Sequence, residues 1–222
     1  MVVLLHAATL LSTACLSCER RFASIEIVSL STSTVTRVAD TFDASIVATS
    51  YNGATCSDSG MVFDGSDDYV DVTTWQFGGA WTVEIYFKPG TLVGADRIFQ
   101  FSDTDDNDNG LLLYEYHDSP TEVKFDLNDA DGSTVSNVRI SSVFTEGTWV
   151  HIVCTVNGST LSVFVDGGSA TTASGDASLP VMTRESHNIG RKPNSGANLE
   201  GTIAYLRLWH GVALDADQVA EL

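Results

Sequence analysis

The chain has 222 residues, 43% of them hydrophobic, with only four prolines, so it can bury the core of one folded domain and falls outside the disordered class. Its 29 acidic residues against 11 basic give a formal net charge of −18, which excludes nucleic acid as a partner and adsorption to anionic membranes. Hard cations, basic partners and neutral ligands remain, although a carboxylate-rich surface also simply keeps a protein soluble.

Taken in chain order, the first feature is an apolar run from Val2 to Cys18, uncharged apart from His6 and too short to span a bilayer comfortably. Small residues at Ser12 and Ala14, followed by Glu19, Arg20 and Arg21, predict a secretory signal or leader over residues 1–23. The rest of the chain is then secreted or part of a surface protein, with no membrane insertion by the domain itself. A fragment of a longer protein is the alternative. Cys15 and Cys18 form a C-x-x-C without a second pair, which predicts neither metal nor redox chemistry. Residues 24–39, including Ser31 to Thr34, read as a linker or an edge strand, and residues 40–222 as the folded domain.

From there the pattern is strand after strand. Val83, Ile85 and Phe87 alternate with Glu84, Tyr86 and Lys88, so one face of this segment can be buried. After it comes Asp103-Thr104-Asp105-Asp106-Asn107-Asp108-Asn109-Gly110, a dense set of hard oxygen donors. From Asp105 it begins like an EF-hand loop, but Tyr116 stands where the bidentate Glu belongs and Glu115 comes one place early. Leu111 to Tyr116 reads as a strand, which leaves a non-EF loop site on Asp103, Asp105 and Asn107 as the calcium candidate. Val123, Phe125 and Leu127 alternate with Glu122, Lys124 and Asp126. In the strand after Trp149, Val150, Ile152, Cys154 and Val156 share one face, so Cys154 reads as a small buried hydrophobe. Cys56 lies in a turn-rich segment, and a Cys56–Cys154 disulfide is the pairing that would suit a secreted protein. Asn157-Gly158 is the strongest hairpin signal, leading into Leu161, Val163 and Val165. With Ser159 it is also an N-glycosylation sequon for a protein secreted by a eukaryote. Asp215 is placed to cap a short helix over Ala216 to Glu221, with Gln218 closing a capping box and Val219 and Leu222 packing inward. Many short strands and no long amphipathic helix predict an antiparallel β-sandwich or jelly roll.

Several of these segments, in order, resemble one family. Met61-Val62-Phe63-Asp64-Gly65-Ser66-Asp67-Asp68-Tyr69-Val70 is similar to the strand pair that opens laminin-G-like jelly rolls of the concanavalin A-like class. Trp81 to Pro89, Gly147 to Ile152, Leu161 to Gly167, Ile189-Gly190-Arg191 and Gly201-Thr202-Ile203 resemble its later elements, and the likeness runs from about Asp40 to Leu222. The resemblance implies the jelly-roll fold and an extracellular recognition role with a carbohydrate or an extracellular protein as partner. It also implies one calcium ion in many members, but Ala204 and Tyr205 replace the acids of the family's last strand. Related glucanases place paired acids on alternate residues of one strand; here Tyr86 and Lys88 follow Glu84, so that mechanism is not expected. Exposed Trp75, Tyr86, Tyr114 and Tyr116 are the candidates for stacking on sugar rings. His151 reads as a hydrogen-bonded structural residue. A structural or adhesion spacer within a larger surface protein is the competing function, and a glycosidase-like enzyme the outsider.

Overall fold

The computed structural model describes residues 25–29, 48–104, 108–175, 178–194 and 196–222. The leader with Cys15 and Cys18, the Ser31 to Thr34 run, Asp105 and Asn107 lie outside the described residues.

The strands follow the alternating segments: β1 (Ile25–Ser29), β2 (Ala48–Tyr51), β3 (Thr55–Ser57), β4 (Gly60–Asp64), β5 (Tyr69–Val72), β6 (Trp75–Phe77), β7 (Trp81–Pro89), β8 (Arg97–Ser102) and β9 (Leu111–Tyr116). After these come β10 (Ser119–Asn128), β11 (Thr134–Ile140), β12 (Val150–Asn157), β13 (Thr160–Val165), β14 (Thr171–Ser174), β15 (Met182–Arg184), β16 (Ser186–Ile189), β17 (Glu200–His210) and the helix α1 (Ala216–Val219). They form two large sheets. The back sheet has eight strands, in the order β14-β13-β12-β7-β17-β4-β3 with β1 added alongside β17; the front sheet has seven, in the order β11-β10-β9-β8-β16-β5-β2. The fold is an antiparallel β-sandwich jelly roll. β15 and β6 make a separate two-stranded ribbon. Among the described residues, the one parallel pairing set brings Ile25 to Ser29, N-terminal to the expected domain start, against Leu206 to His210.

Period-two alternation builds the core. Val83, Ile85 and Phe87 of β7, Ile152, Cys154 and Val156 of β12, and Phe125 and Leu127 of β10 all face between the sheets and are buried. The hairpin between β12 and β13 pairs Asn157 with Thr160, so its two turn residues are Gly158 and Ser159, one place later than the Asn-Gly signal suggests. Gly158 takes φ +60 while Ser159 stays at negative φ, the type II′ arrangement with glycine in the first central position.

A second, smaller cluster lies on the outer side of the back sheet. Val153, Phe164 and Trp209 pack there against Leu214 and Val219, which docks α1. The expected capping box forms: Asp215 Oδ1 accepts from Gln218 N at 2.9 Å, and Gln218 Oε1 accepts from Asp215 N at 3.0 Å. The helix stops at Val219, and Leu222 remains 38% exposed rather than packing inward, because the buried stripe of so short a helix ends with Val219.

The expected Cys56–Cys154 disulfide does not form. The two residues lie on β3 and β12 of the same sheet with β7, β17 and β4 between them. Four strand spacings are about 19 Å, far beyond the ~7 Å limit for Cα atoms bridged by a disulfide. Cys154 is fully buried, as expected, and burial pushes its thiol pKa up.

Candidate ligand-binding face and acidic rim

The four aromatic candidates are separated by the fold. Trp75 is only 8% exposed; its ring stacks on Phe77 at 4.8 Å and meets Phe101 and His187 edge-on, so it is core and unavailable to a sugar. The reason is the ribbon, which folds β6 against the sandwich and is pinned by Arg184: its guanidinium donates to the carbonyls of Phe77, Asn109 and Pro180. Tyr86 stands half-buried on the outer side of the back sheet, stacked between Trp149 at 4.8 Å and Tyr205 at 5.8 Å. Both its faces meet neighbouring rings, so sugar stacking on Tyr86 is also unavailable.

Beside that row lies Glu84, fully buried yet well partnered. One carboxylate oxygen meets His151 Nε2 at 2.9 Å and the other accepts from Arg207 at 3.0 Å. His151 therefore has the hydrogen-bonded structural role its sequence position suggests. No second acid follows Glu84 on its side of β7, where Tyr86 and Lys88 stand.

Tyr114 and Tyr116 do come together, on the outer side of the front sheet. Even residues of β9 point away from the core, and β10 places Lys124 opposite Tyr114. Tyr114 donates to Asp126 Oδ2 at 2.7 Å, and Lys124 Nζ donates to the same oxygen at 2.9 Å. Each ring carries a cation: Arg97 lies 4.0 Å from the Tyr114 centroid and Arg139 lies 3.6 Å from that of Tyr116. Farther across the sheet Arg191 lies 3.3 Å from the Tyr69 centroid, and Tyr69 stacks on Tyr51 at 4.8 Å. Tyr114, Arg97, Gln100 and Asn188 are all buried, so the accessible cations of this face are Lys124, Arg139 and Arg191.

Four of the chain's 11 basic residues thus gather on one face of a protein with net charge −18. Lys124 and Arg139 are ion-paired with Asp126 and Glu122. Among the described residues no carboxylate lies within 4.0 Å of Arg97 or Arg191; each Nε donates instead to an amide oxygen, of Gln100 at 3.4 Å and of Asn188 at 2.9 Å. Gln100 and Asn188 are register partners on β8 and β16, so the two guanidiniums flank one polar strip. Sequence reasoning did not find Arg97, Gln100, Asn188 or Arg191 as a group, because only the β8–β16 pairing makes them neighbours. The one available signal was Arg191 in the Ile189-Gly190-Arg191 segment.

Acidic groups collect elsewhere. Asp103 is half-buried at the end of β8, its N–H bonded to the Asp108 carbonyl at 2.8 Å. Among the described residues, Asp64, Asp67 and Asp68 bring ligand oxygens within 4.8 Å of one another. Two of these carboxylates already serve the turn: Asp64 Oδ1 accepts from Ser66 N, and Asp68 Oδ2 from Asp64 N. Burial, with help from the Asp64 and Asp67 charges, raises the Asp68 pKa.

The sharpest electrostatic feature is at the rim. Glu115 N donates to the Asp96 carbonyl at 3.1 Å and Ala95 N to the Glu115 carbonyl at 2.9 Å, so Asp96 and Glu115 are cross-strand neighbours. Odd residues of β9 face inward, and Glu115 follows Leu111 and Leu113 into the space between the sheets. Glu115 is 0% and Asp96 3% exposed. Asp96 Oδ2 has no hydrogen-bond partner, and the donor beside the Glu115 carboxylate is the Gly94 main chain. Burial, then the Asp96 charge, pushes the Glu115 pKa up to about 8; burial, then Glu200, raises that of Asp96 to about 7.

Comparison with known proteins completes the picture. The laminin-G-type family model described as the concanavalin A-like lectin/glucanases superfamily matches residues 64–220, most of the chain. This chain belongs to that superfamily. Among solved structures, domain 4 of AbnA, an extracellular arabinanase of Geobacillus stearothermophilus in complex with arabinotriose, is 14% identical with a TM-score of 0.56, over 79% of this chain and 80% of that one. The CBM40 of the Ruminococcus gnavus IT-sialidase, bound to α2,3-sialyllactose, is 12% identical with a TM-score of 0.53, over 70% and 96%. The receptor-binding domain of botulinum neurotoxin D is 12% identical with a TM-score of 0.62, over 82% of this chain but only 48% of that one. At these identities the likeness to this superfamily member is one of fold. No curated protein sequence matches the chain.

Proposed function

We propose that this chain is a non-enzymatic recognition module of a secreted or cell-surface protein, binding a carbohydrate on the outer side of its front sheet. The observation that carries the reading is the strip of cations seated on tyrosines there, of which Arg191 is accessible and has no carboxylate within 4.0 Å among the described residues. Guanidiniums beside amide groups suit hydroxyl and carboxylate oxygens, which favours a saccharide carrying acidic groups. That two solved members of the fold hold arabinotriose and sialyllactose supports the class of ligand. Glu84, held by His151 and Arg207, supports the absence of glycosidase chemistry. Calcium assistance belongs to the same proposal, and Asn157, exposed beside the β12–β13 turn, is its glycan acceptor in a eukaryotic host.

The test is a glycan array probed with the full chain, followed by calorimetry on the best binder. Binding that is lost in Arg191→Gln, with the unfolding midpoint unchanged, supports this surface. An array without binders sinks the carbohydrate reading and leaves an extracellular protein ligand or the spacer role.

A further inference from the structure

We infer that Tyr51 is the stacking platform for a neutral sugar unit of an oligosaccharide whose adjoining acidic unit sits at Arg191. The inference rests on the carbohydrate reading and divides that surface into two subsites.

Among the described residues, Tyr51 is the one Tyr, Trp or Phe whose side chain is exposed, at 41%. It ends β2, the edge strand of the front sheet, opposite Tyr69 of β5. The two rings stack at 4.8 Å with 9° between their planes, and Arg191 lies 3.3 Å from the Tyr69 centroid. β2 and β16, the strand that leads into Arg191, pair with opposite edges of β5. The guanidinium and Tyr51 therefore take opposite faces of Tyr69, which has no ring face left to offer. The stack ends on the far face of Tyr51, and among the described residues no strand follows β2 on that side. An apolar ring face open at a sheet edge suits the C–H face of a sugar ring.

The platform is held in place before any ligand arrives. Gly53 N and Ala54 N both donate to the Tyr51 carbonyl, at 2.8 and 3.2 Å, around Asn52 at φ +63. Asn52 Nδ2 donates to the Asp67 carbonyl at 2.9 Å, and buried Ala54 anchors the turn. A ring fixed in this way adds little ordering cost to binding.

Charge sets the order of the sugar units. The Asn52 bond brings the loop of Asp64, Asp67 and Asp68, the first two exposed, to the Tyr51 end, which disfavours an acidic unit there. At the other end Arg191 is a partly exposed cation whose Nε is steadied by Asn188 Oδ1 at 2.9 Å, and it attracts one. Asp71 stands opposite Asn188 in the register, on the same side of the sheet as Tyr69, which disfavours a second acidic unit between the two ends. Because Tyr69 separates the two subsites, a unit stacked on Tyr51 does not itself reach the guanidinium. The acidic group belongs to the next unit of the oligosaccharide.

The probes are a hyaluronan tetrasaccharide, in which glucuronate and N-acetylglucosamine alternate, and uncharged chitotetraose, each titrated calorimetrically into the full chain. The wild type and Tyr51→Phe are expected to bind the hyaluronan probe alike. Tyr51→Leu, which still covers Tyr69 but offers no flat ring, is expected to bind it about tenfold more weakly. Chitotetraose is expected to bind the wild type more weakly than the hyaluronan probe does, and to bind Arg191→Gln as it binds the wild type. In proton NMR spectra of the hyaluronan probe, ring-current shifts should fall on N-acetylglucosamine protons with the wild type and vanish with Tyr51→Leu. The inference is overturned if the wild type does not bind the hyaluronan probe, if Tyr51→Leu binds it as tightly, or if the shifted protons belong to glucuronate. Any of these results beside a glycan array that shows binders removes the Tyr51 subsite and leaves the carbohydrate reading standing. An array without binders removes both.

Discussion

Glu84 and Glu115 are both fully buried glutamates on central strands, and their surroundings are opposite. Glu84 faces the outer side of the back sheet, where β12 brings His151 and β17 brings Arg207 to its two oxygens. Glu115 faces inward at the rim of the front sheet, where its cross-strand neighbour is Asp96 and the donor beside it is the Gly94 main chain, with no cationic side chain. The difference teaches that burial by itself says little about a charge. What matters is which side chains the neighbouring strands supply at the same height in the register. One glutamate is held by two cationic partners, and the other is a buried acid beside a second acid, shifted toward its protonated form.

The largest expected effect tests the complete site. Glu84→Ala leaves Arg207 and His151 without their buried counter-charge and should cost about 3–5 kcal/mol, read from the urea midpoint. A loss below about 1 kcal/mol would mean that the pair is not structural and would erase the contrast.

Next, Glu115→Gln at alkaline pH should stabilise the chain by about 1–3 kcal/mol, since the amide keeps the shape and an oxygen for the Gly94 donor while removing a buried charge beside Asp96. Destabilisation would show that the bond from Gly94 to the carboxylate outweighs the cost of burying its charge.

The same contrast has a pH signature. Both rim carboxyls have folded pKa values raised above their ordinary ones, to about 7 and about 8, so the folded chain holds protons that the unfolded chain releases. This contribution is fully present below about pH 4 and is lost as pH rises through 7 and 8, by up to ~1.4 kcal/mol per pH unit for each proton. His187 acts in the other direction: burial lowers its pKa to about 3, so its contribution is lost as pH falls below its ordinary 6.5. The wild type minus Glu115→Gln difference curve isolates the rim, and a flat difference between about pH 5 and 9 would refute the assignment.

The smallest effect lies far from both sites. Asp215→Ala removes the cap of α1 and should cost about 1 kcal/mol, with no change in calcium response or glycan binding.

Much of the fold was legible because strands write their burial in a period of two. Val83, Ile85 and Phe87 needed only alternation to be placed in the core, and Asp215 with Gln218 needed only spacing. Alternation likewise puts Tyr114 and Tyr116 on one side of β9. Trp75 and Tyr86 were misread as open stacking platforms, because what covers each ring comes from distant segments: Phe101 and His187 for Trp75, Trp149 and Tyr205 for Tyr86. Glu115 was noticed only as a glutamate one place early for an EF-hand. Its inward direction follows from Leu111 and Leu113, but its burial depends on Asp96, which a loop positions.

By itself the sequence determined the class of fold, most of the core strands, the capped terminal helix and the acidic character of the chain. These depend on local periodicity and on the order of short motifs. Only the tertiary structure decided that Cys56 and Cys154 stay apart, that Arg97 and Arg191 border one polar strip, and that Asp96 faces Glu115 without a cationic partner. Each of those depends on which strands lie side by side and in what register, and residue spacing along one strand carries no information about what its neighbour places opposite.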